Sequence, residues 1–153
     1  PKLRNLQLLT SKPVLYICNV SEEDATTGNK YSKLVQDIAN KEDAVSILIS
    51  AKIESEISQL QPEEKNEYLV ELGLKQSGLE QVIQSGYKLL NLITYFTSGP
   101  EESRAWTVPS GSNAPRAARE IHTDFEKGFI RAEVISYNDY VTLEGEKKSK
   151  EAG

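Results

Sequence analysis

The sequence predicts an α/β unit followed by a smaller α+β unit, and three observations carry that reading. Two short apolar runs, KPVLYICNV over 12–20 and AVSILISA over 44–51, are separated by residues of helical period, the pattern of two parallel strands joined by a crossover helix. After Asn91 the helical periods give way to short β-rich runs bounded by turn signals. Composition permits both units, since 153 residues with 38% hydrophobic and 27% charged side chains lie in the globular range.

The elements follow in order. Residues 14–18 are apolar and rich in β-branched or aromatic side chains, which suits a strand buried on both faces of a parallel sheet. Tyr31, Leu34, Val35 and Ile38 then recur at helical spacing, and 45–49 forms the second buried strand. Ile53, Ile57 and Leu60 mark a helix. Pro62 opens another, carrying Tyr68, Leu69 and Leu72 up to a stop at Gly73. Ser77 is the N-cap of a third, whose apolar side is Leu79, Val82, Ile83, Tyr87 and Leu90. Residues 92–97 and 102–108 flank Ser98-Gly99-Pro100 and should pair as an antiparallel hairpin. Asn113-Ala114-Pro115 begins a helix with Ala117, Ala118, Ile121 and Phe125 on its apolar side and Gly128 as its stop. A strand over 129–137 is expected next, in a small α+β sheet that needs one or two more strands to close. The charged residues 145–153 read as unstructured.

Charge and cysteine content narrow the function. A net charge of -5 argues against a chain that coats nucleic acid by bulk charge, although a local basic face stays open. The single Cys18 excludes an internal disulfide and suits a reducing cytoplasm. No signal peptide and no long apolar span are present, so no membrane is expected. The chain begins at Pro1 and contains no Met, so we expect an excised or proteolysed piece. It also has no G-x-x-x-x-G-K-[ST] phosphate loop, which makes it read as the later half of a nucleotide-binding protein.

Ligands of open α/β sheets bind beyond the carboxyl ends of the parallel strands. Both strands end there in polar motifs, Asn19-Val20-Ser21-Glu22 and Ser50-Ala51-Lys52. A guanine-reading site uses Asn-Lys-x-Asp, in which the Asp carboxylate accepts from guanine N1 and the exocyclic amine while the Asn amide bonds the other edge of the base and ties loops together. Here the lysine is replaced by Val20, and the carboxylate of Glu22 sits one methylene further out. Unmade buried hydrogen bonds cost about 1–3 kcal/mol each, so losing two removes about 10²-fold of discrimination for guanine. Main-chain groups around Val20 can then serve the adenine edge, and a backbone N–H of Ser50-Ala51-Lys52 would contact the base. The structural alternative is plain: Ser21 caps a helix, and Ser50 caps the next strand-to-helix junction.

Other residues that invite a functional label have simpler readings. His122, the only histidine, has no nucleophile elbow and no metal-ligand spacing around it, so it is expected to flank a helix face and hydrogen-bond a neighbouring strand. Trp106 and Tyr95 read as cross-strand packing rather than a base-stacking platform. Arg104, Arg116, Arg119, Lys127 and Arg131 are interleaved with Glu120, Asp124, Glu126 and Glu133, the pattern of an ordinary solvated surface.

The segments KPVLYICNVSEED, GLEQVIQSGYKLLNLITYFTSG, ESRAWTVPSGSNAPRAAREIHTDFEKGFIRAEVISYNDY and GEKKSKEAG together resemble the YchF family, the Obg-like ATPases. The resemblance implies a P-loop GTPase-type domain followed by a TGS domain of ubiquitin-like β-grasp form. On that basis 1–72 would be the end of the nucleotide-binding domain, 73–90 a connecting helix, and 91–153 a TGS domain lacking its last strand. It implies base recognition by Asn19, Val20, Glu22, Ser50, Ala51 and Lys52, with ATP preferred over GTP. The phosphate site, Mg²⁺ and catalytic loops would lie outside these residues, leaving no catalytic residue or metal ligand here and no hydrolysis by this chain alone. It further implies a cytoplasmic protein that associates with the ribosome through RNA or protein. The alternative is a stand-alone TGS-type module that binds RNA or protein and has no nucleotide role. An unpaired strand edge would be met by an edge-strand dimer or by disorder over 137–153.

Overall fold

The computed structural model describes residues 8–99 and 101–153, so Pro1 and the Pro100 of the expected turn lie outside the described residues. It divides into two compact units, Pro1–Ile93 and Thr94–Gly153.

In the first unit, β1 (Leu15–Asn19) and β2 (Val45–Ile49) pair in parallel, with Leu15 opposite Val45 and Asn19 opposite Ile49. The crossover between them is α1 (Lys30–Lys41). Its start is fixed by Asn29, whose Oδ1 accepts from Tyr31 N at 3.0 Å and Ser32 N at 3.1 Å, while Ser32 Oγ accepts from Asn29 N at 2.8 Å. That reciprocal capping box satisfies donors every helix start leaves open. Gly28 must stand before it: its φ is +67°, and an added Cβ would lie 2.5 Å from the same Ser32 Oγ.

Three helices follow, α2 (Ala51–Ile57), α3 (Pro62–Glu71) and α4 (Gly78–Leu89). Pro62 opens α3 and Ser77 caps α4 through Glu80 N at 3.1 Å, as the sequence predicts. The core gathers on α2 and α3, where Ile53, Ile57 and Leu69 are buried and Ala25, Tyr68, Leu72 and Leu74 pack around them. The Tyr68 hydroxyl donates to Glu56, which with burial pushes its pKa up to about 12 and pins α3 to α2. The expectation of strands buried on both faces is corrected: Ile17 and Val45 are exposed, as are Tyr31, Leu34 and Ile38 on α1 and Leu79, Ile83 and Leu90 at α4. The reason is geometric, since a sheet of two strands with helices α1 and α4 against it leaves part of each apolar face uncovered by described residues.

In the second unit, β3 (Leu92–Ser98) and β4 (Ser103–Pro109) form the expected hairpin, closed by Gly99 N donating to Glu102 O at 3.0 Å. Trp106 Nε1 donates to Thr97 Oγ1 at 2.9 Å, and the Arg104 guanidinium lies over the indole at 4.3 Å. Both contacts occupy Trp106 within the hairpin. Helix α5 (Ala114–Ile121) is started by Asn113, whose side chain accepts from Arg116 N at 3.1 Å. It is tied to β3 by Tyr95, whose hydroxyl donates to Ala117 O at 2.8 Å. Replacing Tyr95 by phenylalanine removes that half-buried bond at nearly constant volume and is expected to cost about 1 kcal/mol. Urea unfolding followed by Trp106 fluorescence measures it, and an unchanged midpoint would show that the bond contributes nothing.

Three expectations for this unit are corrected. The helix expected to run to Gly128 breaks at His122, whose backbone is extended at φ -159° and ψ 139°, and restarts as α6 (Thr123–Lys127). Among the described residues His122 bonds no strand; its Nδ1 accepts from Asp124 N at 3.2 Å and caps α6. The strand expected over 129–137 is irregular chain to Ser136, where α7 (Tyr137–Thr142) begins. β-propensity expresses fit to a ladder, and β3 and β4 pair only with each other among the described residues, leaving Ile130 and Val134 91% and 87% exposed. The unstructured tail expected over 145–153 is instead helix α8 (Glu146–Ala152). Its charges are spaced so that Glu144 pairs with Lys148 and Glu146 with Lys150, opposite signs four residues apart that favour a helix. Lys150 also reaches Glu133 at 2.6 Å, and these two carboxylates raise its pKa.

Candidate functional site

Because Asn19 and Ile49 are register partners, the two polar motifs leave the sheet side by side at its carboxyl edge. The ladder continues one step beyond the strands, with Val20 N donating to Ile49 O at 2.8 Å. Asn19 Oδ1 then accepts from Ala51 N at 3.0 Å, tying the end of β1 to the first residue of α2. Lys52 Nζ meets Glu22 Oε2 at 2.6 Å across the same gap. All six residues singled out in the sequence thus lie at one edge.

Ser50 sits at the N-cap position of α2 but makes no cap bond, so it does not perform the structural task expected of a polar junction residue. It is 4% exposed, and its Oγ has no hydrogen-bond partner among the described residues. Ser21 does not start a helix either. Its Oγ donates to Asp24 Oδ2 at 3.1 Å within a turn, and Asn29 Nδ2 donates to the same carboxylate oxygen at 2.9 Å. Asp24 therefore shapes the loop between β1 and α1. Sequence reasoning missed it, although the Gly28-Asn29 pair ahead of a helical period is a readable start signal.

Beside this edge, between β1 and the start of α1, lies an open pocket of about 320 Å³ lined by Cys18, Asn19, Val20, Asn29, Tyr31 and Val35 among others. The electrostatics of the edge are set by the exposed Glu22–Lys52 pair. The hydrogen bond to Glu22, then its charge, hold the Lys52 ammonium above its usual 10.5. A raised lysine pKa gives an interaction fully present below 10.5 and lost only as pH rises through the folded value, so the pair persists at neutral pH. Being exposed, it is screened by salt and adds little to stability.

The groups that a guanine would use at this edge are engaged with one another. A guanine-reading edge needs a free carboxylate for two N–H donors and a free N–H for O6. Here the Glu22 carboxylate faces Lys52, and the Ala51 N–H faces Asn19 rather than a base. The Val20 N–H is spent on Ile49, so the main-chain group it can offer an adenine edge is its carbonyl. Among the described residues no group of three or more His, Cys, Asp or Glu could hold a metal ion. No helix among them is long and apolar enough to cross a membrane.

Residues 92–153 match the family model YchF-GTPase_C, described as a protein of unknown function (DUF933). The "Ribosome-binding ATPase YchF" of Escherichia coli O157:H7 is 53% identical over 151 residues, which is 99% of this chain and 41% of that protein. The protein of the same name from Bacillus subtilis (strain 168) is 49% identical over 153 residues, covering 99% of this chain and 42% of its own. The solved structure of the Schizosaccharomyces pombe YchF GTPase superposes with a TM-score of 0.84 at 38% identity, over 99% of this chain and 40% of that one. The chain therefore spans about two fifths of the length of these relatives.

Proposed function

This chain belongs to the YchF family, and from that premise we propose that it carries the base-recognition half of an adenine-nucleotide site, followed by a module that docks on the ribosome. The observation that carries the first part is the Asn19–Ala51 hydrogen bond, which joins the two motifs into one edge and removes the donor a guanine O6 would use. The Glu22–Lys52 pair removes the second guanine-reading group. A base that asks only for a carbonyl acceptor at its exocyclic amine fits better, and adenine N6 asks for that at Val20. The bound nucleotide would lie with its base against Asn19, Val20, Ala51 and Lys52, and the buried Ser50 hydroxyl supplies a polar atom next to them.

In this reading residues 1–72 end a P-loop GTPase-type domain, 73–90 connect, and 91–153 form a TGS-type module. Support for the last is the hairpin β3–β4 with α5 anchored across it by Tyr95. The relatives' names, ribosome-binding ATPases, support the ribosome as partner and ATP hydrolysis as the activity of the whole protein. Phosphoryl transfer requires a phosphate cradle, a lysine and Mg²⁺, and in this reading those belong to the part of the relatives' length that these residues do not span. Their task is to hold and select the base, in the cytoplasm, within a longer polypeptide.

The test is a competition titration of ATP against GTP on a polypeptide that joins these residues to the part of the relatives' length they do not span. ATP is expected to bind about 10²-fold tighter, the worth of two hydrogen bonds that guanine cannot make. Tighter binding of GTP would mean that Glu22 leaves Lys52 for guanine, and the adenine assignment would fall. Binding of neither nucleotide would favour the module reading without a base site.

A further inference from the structure

We propose that Glu54 is a positioning residue for the base-contacting junction, which it fixes by clamping the first turn of α2 to the first turn of α4; this rests on the base-site reading above. Glu54 N donates to Ser50 O at 3.0 Å, so its backbone closes the same turn that presents Ala51 and Lys52. From that turn its carboxylate reaches α4, accepting from Gly78 N at 2.6 Å and from Leu79 N at 3.1 Å. These are first-turn donors that a helix cannot satisfy itself, and a carboxylate on them gains from charge assistance and from the helix dipole.

Position 78 is suited to this contact only by glycine. An added Cβ would lie 2.9 Å from Glu54 Oε1 and 2.9 Å from Ile49 Cγ2. The start of α4 is thus seated between Glu54 and the last residue of β2. The contacts form a closed ring: Asn19 holds Ala51, the Ser50–Glu54 turn carries Glu54 to Gly78, Gly78 rests on Ile49, and Ile49 accepts from Val20. Asn19 fixes one end of the junction and Glu54 the other. The capping box of Ser77 and Glu80 engages only the Ser77 and Glu80 amides, so the Gly78 and Leu79 amides are left to Glu54. What Glu54 adds is the link between two turns 24 residues apart. Linkage is reciprocal, so a base held at Ala51 and Lys52 protects the Gly78 and Leu79 amides.

The variants are Glu54→Ala and Glu54→Gln, the second keeping one acceptor in case the first unfolds. In the chain without nucleotide, hydrogen exchange at the Ala51 amide is expected to quicken about tenfold in Glu54→Ala and less in Glu54→Gln, with Val108 of the second unit unchanged as reference. Faster exchange at Gly78 and Leu79 with Ala51 unchanged would reduce Glu54 to a helix cap and overturn the inference. In the longer polypeptide, KM for ATP should rise about tenfold in Glu54→Ala with kcat retained. If Asn19→Ala weakens ATP binding and Glu54→Ala does not, the inference fails. If neither does, the base-site reading fails, while the Ala51 exchange rate still reports on the clamp.

Discussion

Replacing Ile53 by alanine is expected to destabilise the first unit by about 4 kcal/mol, within the 2–5 kcal/mol that buried isoleucine truncations cost. Ile53 is 1% exposed and is the largest fully buried side chain among the described residues. It contributes to the cluster with Ile57 and Leu69, ringed by Ala25, Tyr68, Leu72 and Leu74 from elements on both sides of α2. Three carbon atoms removed there leave a void that helices pinned by Tyr68–Glu56 and Glu54–Gly78 cannot collapse into. Native domains hold only about 5–15 kcal/mol, so this one change takes a large share of the total. Val70→Ala is the matched control, because Val70 is 76% exposed on the neighbouring helix and should shift stability by less than about 0.5 kcal/mol. Urea unfolding followed through the amide signals of residues 8–93 separates this unit from the second. Equal midpoints for the two variants would show that α2 and α3 do not form the core.

That core and the site next to it were legible in the sequence to different degrees. The first four strands, the order of the two motifs and the helix starts at Pro62, Ser77 and Asn113 are local signals, decided by residues within four positions of each other, and the structure has them where the sequence puts them. The break at His122 is also local, but a helical period running through Ala117, Ile121 and Phe125 hides it. The segment 129–136 shows the opposite failure. Its β-branched residues favour a strand, yet a strand exists only where a neighbour supplies the other half of each hydrogen bond, and β3 and β4 supply each other. Least legible was the role of Glu54. A glutamate on a short helix looks like a solvated charge, and only the fold brings it to two amides more than twenty residues away. For the same reason the Asn-x-x-Glu spacing did not reveal that Asn19 and Glu22 are engaged with Ala51 and Lys52.

Those commitments make Asn19→Ala the most informative change at the edge. The substitution removes the Oδ1 that accepts from Ala51 N at 3.0 Å, and two consequences follow, the second bearing on GTP alone. The strand-to-helix junction loses its tie, so ATP affinity should fall about tenfold, the worth of one hydrogen bond of about 1.4 kcal/mol. The Ala51 N–H is released at the same time and becomes a donor for guanine O6, which offsets the loss for GTP. The ATP preference should therefore shrink by about tenfold, with GTP affinity nearly constant. A purely structural role for Asn19 predicts otherwise: both affinities fall together and their ratio stays fixed. Lys52→Met gives the complementary reading, since it frees Glu22 and should raise GTP affinity while leaving the unfolding midpoint of an exposed pair almost unchanged. If Asn19→Ala leaves the ratio of the two affinities fixed and Lys52→Met leaves GTP affinity unchanged, engaged hydrogen-bonding groups are not what excludes guanine. Selection would then lie with the shape of the pocket between β1 and α1.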